Sequence, residues 1–124
     1  MEIKTIQHQP LPKERKAITH RFTVAGTKVY VTVGLYEDGR PGEVFLTCAK
    51  QGSLERGLLH CLAVQISISL QHGIQLKKIV EKLCYVKFDP AGVTDNPDIP
   101  MVDSISDYLG KWLQRRFGGT DAKK

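Results

Sequence analysis

From Thr19 to Ala49, apolar and polar residues alternate with a period of two, and the alternation breaks only at two glycine-containing turns. Period two sends successive side chains to opposite faces of a strand, one face buried and the other solvated. The first run sets His20, Phe22 and Val24 against Thr19, Arg21 and Thr23. Ala25-Gly26-Thr27 turns the chain, and Lys28 to Tyr36 then sets Val29, Val31, Val33 and Leu35 against Lys28, Tyr30, Thr32 and Tyr36. In Glu37 to Gly42, Gly39 is free to take positive φ and Pro41 cannot pair centrally, which is turn chemistry. A third run to Ala49 places Val44, Leu46 and Cys48 opposite Phe45 and Thr47. Three strands joined by short turns predict an antiparallel meander.

The period then changes to that of a helix. Ser53 is a suitable N-cap for a helix running to His72, and Gly73 supplies the left-handed residue that stops it. Leu54, Leu58, Leu62, Ile66 and Ser69 fall near one line, widened by Leu59, Ala63, Val64, Ile68 and Leu70. So broad an apolar surface predicts a helix covered on more than one side, by the sheet and by another subunit. A shorter amphipathic helix is expected over Leu76 to Cys84, a short strand over Tyr85 to Phe88, and an ordered loop from Asp89 to Pro100. A last helix, Val102 to Phe117, turns Ile105, Leu109, Trp112 and Leu113 inward. The expected architecture is α+β: a meander packed on a long central helix, with a short helix and a C-terminal helix. Residues 1–16, polar and carrying Pro10 and Pro12, are expected to form an extended arm, flexible or lying on a neighbour, and 118–124 a flexible tail. Residues 17–117 form the single domain.

At 124 residues the chain is long enough for one core without staples. Its formal charge of +5 and pI near 9.2 favour anionic partners: nucleotides, nucleic acid or an acidic protein surface. Cys48, Cys61 and Cys84 are widely spaced, each in an apolar run, which reads as reduced, buried thiols in a cytoplasmic protein. They share no ligand spacing with the four histidines, so no metal is expected. No run has the apolar length of a transmembrane helix, and no association with membrane is expected.

Several stretches offer binding chemistry. Ala49-Lys50-Gln51-Gly52-Ser53 leads a strand into a helix start, where N–H groups can hold an anion flanked by Lys50 and Arg56; it is equally a tight turn with a Ser cap. Phe88, beside the polar loop that carries Asn96, offers a stacking surface next to an amide that reads a base edge, or else a hydrophobic plug for the loop. Arg115 and Arg116 suit a phosphate, or simply complement the dipole at a helix C-terminus. Lys28, Lys50, Ser53, Arg56, Phe88, Asn96, Arg115 and Arg116 are therefore the candidate ligand-binding set. The junction itself reads better as a joint between meander and helix, which moves the expected site to where Arg56 meets the Phe88–Asn96 loop and the Arg pair. No catalytic set is apparent: His60 and Cys61 are adjacent along a helix, so their side chains diverge, and no cofactor is expected.

Motifs in order along the chain carry a more specific signal. They are Leu11-Pro12-x-Glu14-Arg15-x-Ala17-Ile18-Thr19-His20, Thr32 through Glu43, Ala49-Lys50-x-Gly52-Ser53, Phe88-x-Pro90-x-Gly92-x-Thr94-x-Asn96-Pro97-x-Ile99-Pro100, and Ser104-Ile105-x-Asp107-Tyr108. Over about Leu11 to Phe117 the chain resembles the C-terminal accessory domain of adenosylcobalamin-dependent (class II) ribonucleotide reductases. Neither the reductase barrel nor the C-terminal Cys pair is in this sequence, so the resemblance implies a stand-alone, non-catalytic domain. In size, layout and residue types, though in no alignable motif, the chain is also similar to phage anti-Thoeris sponges. Those bind cyclic ADP-ribose-type signals or cyclic oligonucleotides between subunits. That likeness implies a homo-oligomer in the host cytoplasm that sequesters an immune signal, stacking it on Phe88 and holding it with arginines, and this is the first functional expectation. An accessory subunit bound to a reductase catalytic subunit is the second, and a cryptic enzyme the third.

Overall fold

A computed structural model describes residues 8–48 and 53–123. The meander is formed by β1 (Ala17–Val24), β2 (Thr27–Leu35) and β3 (Pro41–Cys48), antiparallel and in that spatial order. Ala25 and Gly26, at φ 48° and 84°, make a two-residue hairpin turn whose positive dihedrals suit the twist of the flanking strands. Register pairs Phe22 with Val29, Val31 with Leu46 and Val33 with Val44. All six are buried on the face that the alternation assigned to the core. Arg21, Tyr30 and Phe45 stand exposed on the opposite face.

Helix α1 (Leu54–Gln71) starts at Ser53, whose hydroxyl accepts from the Arg56 N–H at 3.1 Å, and ends at Gly73 with φ 84°. It lies along β3. The Ser67 hydroxyl accepts from the Val44 N–H at 2.8 Å, with the Ala63 and Val44 carbonyls at 2.9 and 3.2 Å from the same oxygen. Gln71 Nε2 donates to the Gly42 carbonyl at 3.0 Å. Backbone groups of β3 that β2 does not reach are thus met by helix side chains.

Helices α2 (Leu76–Leu83) and α3 (Ile105–Phe117) complete the core. Tyr108 of α3 lies on Phe22 with ring centroids 3.8 Å apart. The α+β class and the long helix are as the sequence predicts. The expected strand over Tyr85 to Phe88 is absent: Tyr85 takes φ 64°, outside the extended region. The pairing comes later, where β4 (Gly92–Val93) and β5 (Met101–Val102) form a small hairpin bridged to β1 through Val24 and Thr94.

Residues 8–16 run extended across their own domain. The Gln9 N–H donates to the Gln71 carbonyl at 2.8 Å, and the Tyr36 hydroxyl donates to the Gln9 carbonyl at 2.6 Å. After Phe117 the chain continues as a 3-10 turn, Gly118–Lys123.

Candidate functional site

Helix α3 carries two polar networks. The first fixes its N-terminus. Ser104 caps it, accepting from the Asp107 N–H at 3.0 Å. Asp107 is fully buried, and its carboxylate accepts from the Tyr85 N–H at 2.7 Å, the Asp103 N–H at 2.8 Å and Lys111 Nζ at 2.9 Å. Burial pushes its pKa up, but these donors outweigh burial and hold it below the ordinary carboxylate value. The Lys111 ammonium also sits 4.7 Å from the Tyr85 ring centroid. Gly110 allows the α2–α3 connection to approach, since a Cβ there would lie 2.7 Å from Cys84 Sγ and 3.1 Å from the Cys84 nitrogen.

The second network ties α3 to the sheet. Asn96 Nδ2 donates to the Tyr108 hydroxyl at 2.9 Å, and the same hydroxyl is hydrogen-bonded to His20 Nε2 at 2.8 Å. Burial lowers the His20 pKa; Asp95 opposes that and Arg116 adds to it, so the ring is neutral near pH 7. Its ring stacks at 5.0 Å on Trp112. Burial likewise raises the Tyr108 pKa, against the Asn96 hydrogen bond. The imidazole, stacked on Trp112 and bound to the phenol, ties β1 to α3.

A third cluster anchors the N-terminal segment. Arg15 grips the Glu43 carboxylate with Nε and Nη2, at 2.8 to 3.2 Å. The Glu43 side chain crosses Gly34, where a Cβ would meet Glu43 Cγ at 2.6 Å.

The predicted ligand set does not gather in one groove. Ser53 and Arg56 border a shallow groove with Phe45, Gly57 and His60. Lys28 lines another, beside Glu55 and Asp89. Arg115 lines a third with Asp98, to which it makes a long 3.8 Å ion pair. Phe88 is exposed. Asn96 is committed to Tyr108 and, through Oδ1, to the Asp98 N–H at 2.9 Å. Lys50 lies outside the described residues. Of the predicted set, the structure joins only Asn96 to the network of Tyr108 and His20; Arg116 is exposed and bears on it through its charge alone. Neither His20 nor Tyr108 belongs to the predicted ligand set; the signal for this network is a histidine in phase with Phe22 and Val24. Among the described residues no three His, Cys, Asp or Glu side chains converge as a metal site, and no helix is long and apolar enough to cross a membrane.

This geometry accounts for most motifs that carry the family resemblance, because Arg15 meets Glu43, Asn96 meets Tyr108, and Ser104 meets Asp107. Comparison with known proteins agrees. The TSCPD domain model matches residues 3–117, and the chain belongs to that family. It is similar to the C-terminal region of vitamin B12-dependent ribonucleotide reductases. The Rhodopirellula baltica protein is 43% identical over 111 residues, which is 90% of this chain and 11% of that relative. Those of Streptantibioticus cattleyicolor and Streptomyces avermitilis are each 41% identical over 118 residues, 92% of this chain and 20% and 12% of their own lengths. The chain therefore spans between a tenth and a fifth of these relatives. No solved structure gives a significant match.

Proposed function

We propose that this domain is a non-catalytic accessory part of a vitamin B12-dependent ribonucleotide reductase and works through protein contacts with the catalytic portion. The observation that carries the reading is the breadth of the similarity: 90% of the chain aligns with a segment that makes up only 11% of the Rhodopirellula baltica reductase. The geometry supports a scaffold over a reaction centre. Among the described residues no buried side-chain polar atom lacks a partner, and the buried ionisable groups are tied into packing. The test is co-purification with the catalytic portion of that reductase lacking the matching region. A stable complex with altered nucleotide reduction is expected; a folded domain that neither binds nor changes turnover would sink the reading.

A second reading, sequestration of an anionic cyclic nucleotide, draws on the +5 charge and on the exposed Phe88, Arg115 and Arg116. Calorimetry with cyclic ADP-ribose isomers and cyclic oligonucleotides decides it. Binding that is lost in Arg115→Ala/Arg116→Ala supports sequestration, and no heat with any ligand removes it.

A further inference from the structure

Helix α1 buries Leu59, Ala63 and Ile66 against the sheet. Its opposite side is apolar as well. Leu54, Leu58, Cys61, Gln65 and Ile68 follow one another at spacings of four and three, which places them on one line, with Val64 beside it. Leu54, Leu58, Val64 and Ile68 are 74%, 59%, 38% and 48% exposed, and Cys61, expected from its apolar run to be buried, is exposed too because the sheet covers only the other side of the helix. A run of large apolar side chains open along a helix marks a contact surface rather than scattered surface hydrophobes.

Three further observations say what covers it. The first is charge. From Gly57 to Gly73 the sequence has no Asp, Glu, Lys or Arg, although the whole chain is +5. An acidic partner finds nothing to pair with on this face, and two like-charged copies meet there without repulsion. The second is symmetry about Cys61. Leu54 and Ile68 lie seven residues to either side of it, Leu58 and Val64 three, and Gly57 and Gln65 four. A two-fold axis beside Cys61 running across the helix therefore sets Leu54 on the partner's Ile68, Leu58 on the partner's Val64, and the one polar side chain of the line over the partner's Gly57. The third is Gly57. A glycine inside a helix costs up to about 1 kcal/mol relative to alanine. Among the described residues no neighbour requires it, because a Cβ there would meet nothing within 4 Å.

We propose that the outer face of α1 is a homodimer interface, in which two copies of the helix pack antiparallel about a two-fold axis at Cys61. Such a contact is isologous and closes on itself. Its area sets its strength: the line is about 20 Å long on a helix about 10 Å wide. That is below the roughly 800 Å² per partner of a standard stable interface, even with Phe45 added across the groove beside Gly57. The dimer is accordingly concentration-dependent. The inference stands independently of the reductase reading.

Sedimentation velocity on the whole chain under reducing conditions, from about 5 to 500 µM, tests it. A rise from monomer to dimer across this range is expected, with loss of dimer in Leu58→Asp, whose site is exposed and whose circular dichroism should match the parent. Gly57→Ala should raise monomer melting temperature yet weaken dimerisation about tenfold. Mild oxidation should yield a disulfide-linked dimer that Cys61→Ser abolishes, since Cys48 is buried and Cys84 partly so. In a Cys61→Ser background, a mixture of Leu54→Cys and Ile68→Cys chains should cross-link between the two variants. Monomer at every concentration overturns the proposal. So does preferential cross-linking of Leu54→Cys chains to one another, which would mean a parallel pair, and so does a monomer whose α1 face is needed only to bind a reductase catalytic portion.

Discussion

Helices α1 and α3 reverse the usual relation between composition and position. Helix α1 is the longer and has no charged residue after Arg56, yet only Leu59, Ala63 and Ile66 are buried. Helix α3 carries Asp107, Lys111, Arg115 and Arg116, yet nine of its thirteen residues are buried, Ser106 and Asp107 among them. The difference lies in what each helix meets. Each buried polar group of α3 has a partner placed for it: Ser106 Oγ donates to the Leu83 carbonyl at 2.9 Å, and Asp107 accepts three donors. A polar helix can be central when its polar groups are fully matched. An apolar one lies at the periphery when the chain supplies only one surface to cover it.

The comparison breaks most sharply at Asp107. Asp107→Ala should destabilise the domain by about 3–5 kcal/mol, because it leaves two backbone N–H groups and Lys111 without their acceptor; urea unfolding with an unchanged slope would measure it. Gly110→Ala should cost about 1–3 kcal/mol by overpacking against Cys84, and rescue by Cys84→Ala or Cys84→Gly would confirm the collision with Sγ. Tyr108→Phe keeps the stack on Phe22 but orphans His20 and Asn96, for about 1–2 kcal/mol in the same assay. His20 adds a pH dependence. Its folded-state pKa is lowered below the ordinary 6.5, so the unfolded chain binds the proton more readily and stability should fall as pH drops below about 6.5. Melting temperatures between pH 7.5 and 5 should show this slope, and His20→Gln should flatten it. Smallest is the effect on the outer face of α1, where Leu58→Asp at low protein concentration should change stability by no more than about 0.5 kcal/mol.

The meander was legible because its signals are local. Val29, Val31, Val33, Val44, Leu46 and Cys48 lie on the predicted face, and Ser53 and Gly73 delimit α1 as their chemistry demands. The β4–β5 hairpin was not legible, since two-residue strands have no period and depend on the bridge from Val24 to Thr94. The strand expected at Tyr85 failed because the Asp107 carboxylate, 22 residues away in sequence, takes the Tyr85 N–H. The site was harder still. Cations chosen one by one lie in separate grooves, while the contact that forms joins Asn96 to Tyr108 and Tyr108 to His20, 88 positions apart in the chain, which no local pattern connects.

Ser67 governs a different property of the molecule. A three-stranded sheet that leaves the N–H and C=O of its last strand open is a template for strand addition and aggregation. The Ser67 hydroxyl closes that template at Val44, and the Gln71 amide closes it at Gly42. Open-ended fibre growth through β3 is thereby hindered at these two positions. Ser67→Ala should reopen the edge, and a thioflavin-positive, concentration-dependent assembly absent from the parent would be its signature.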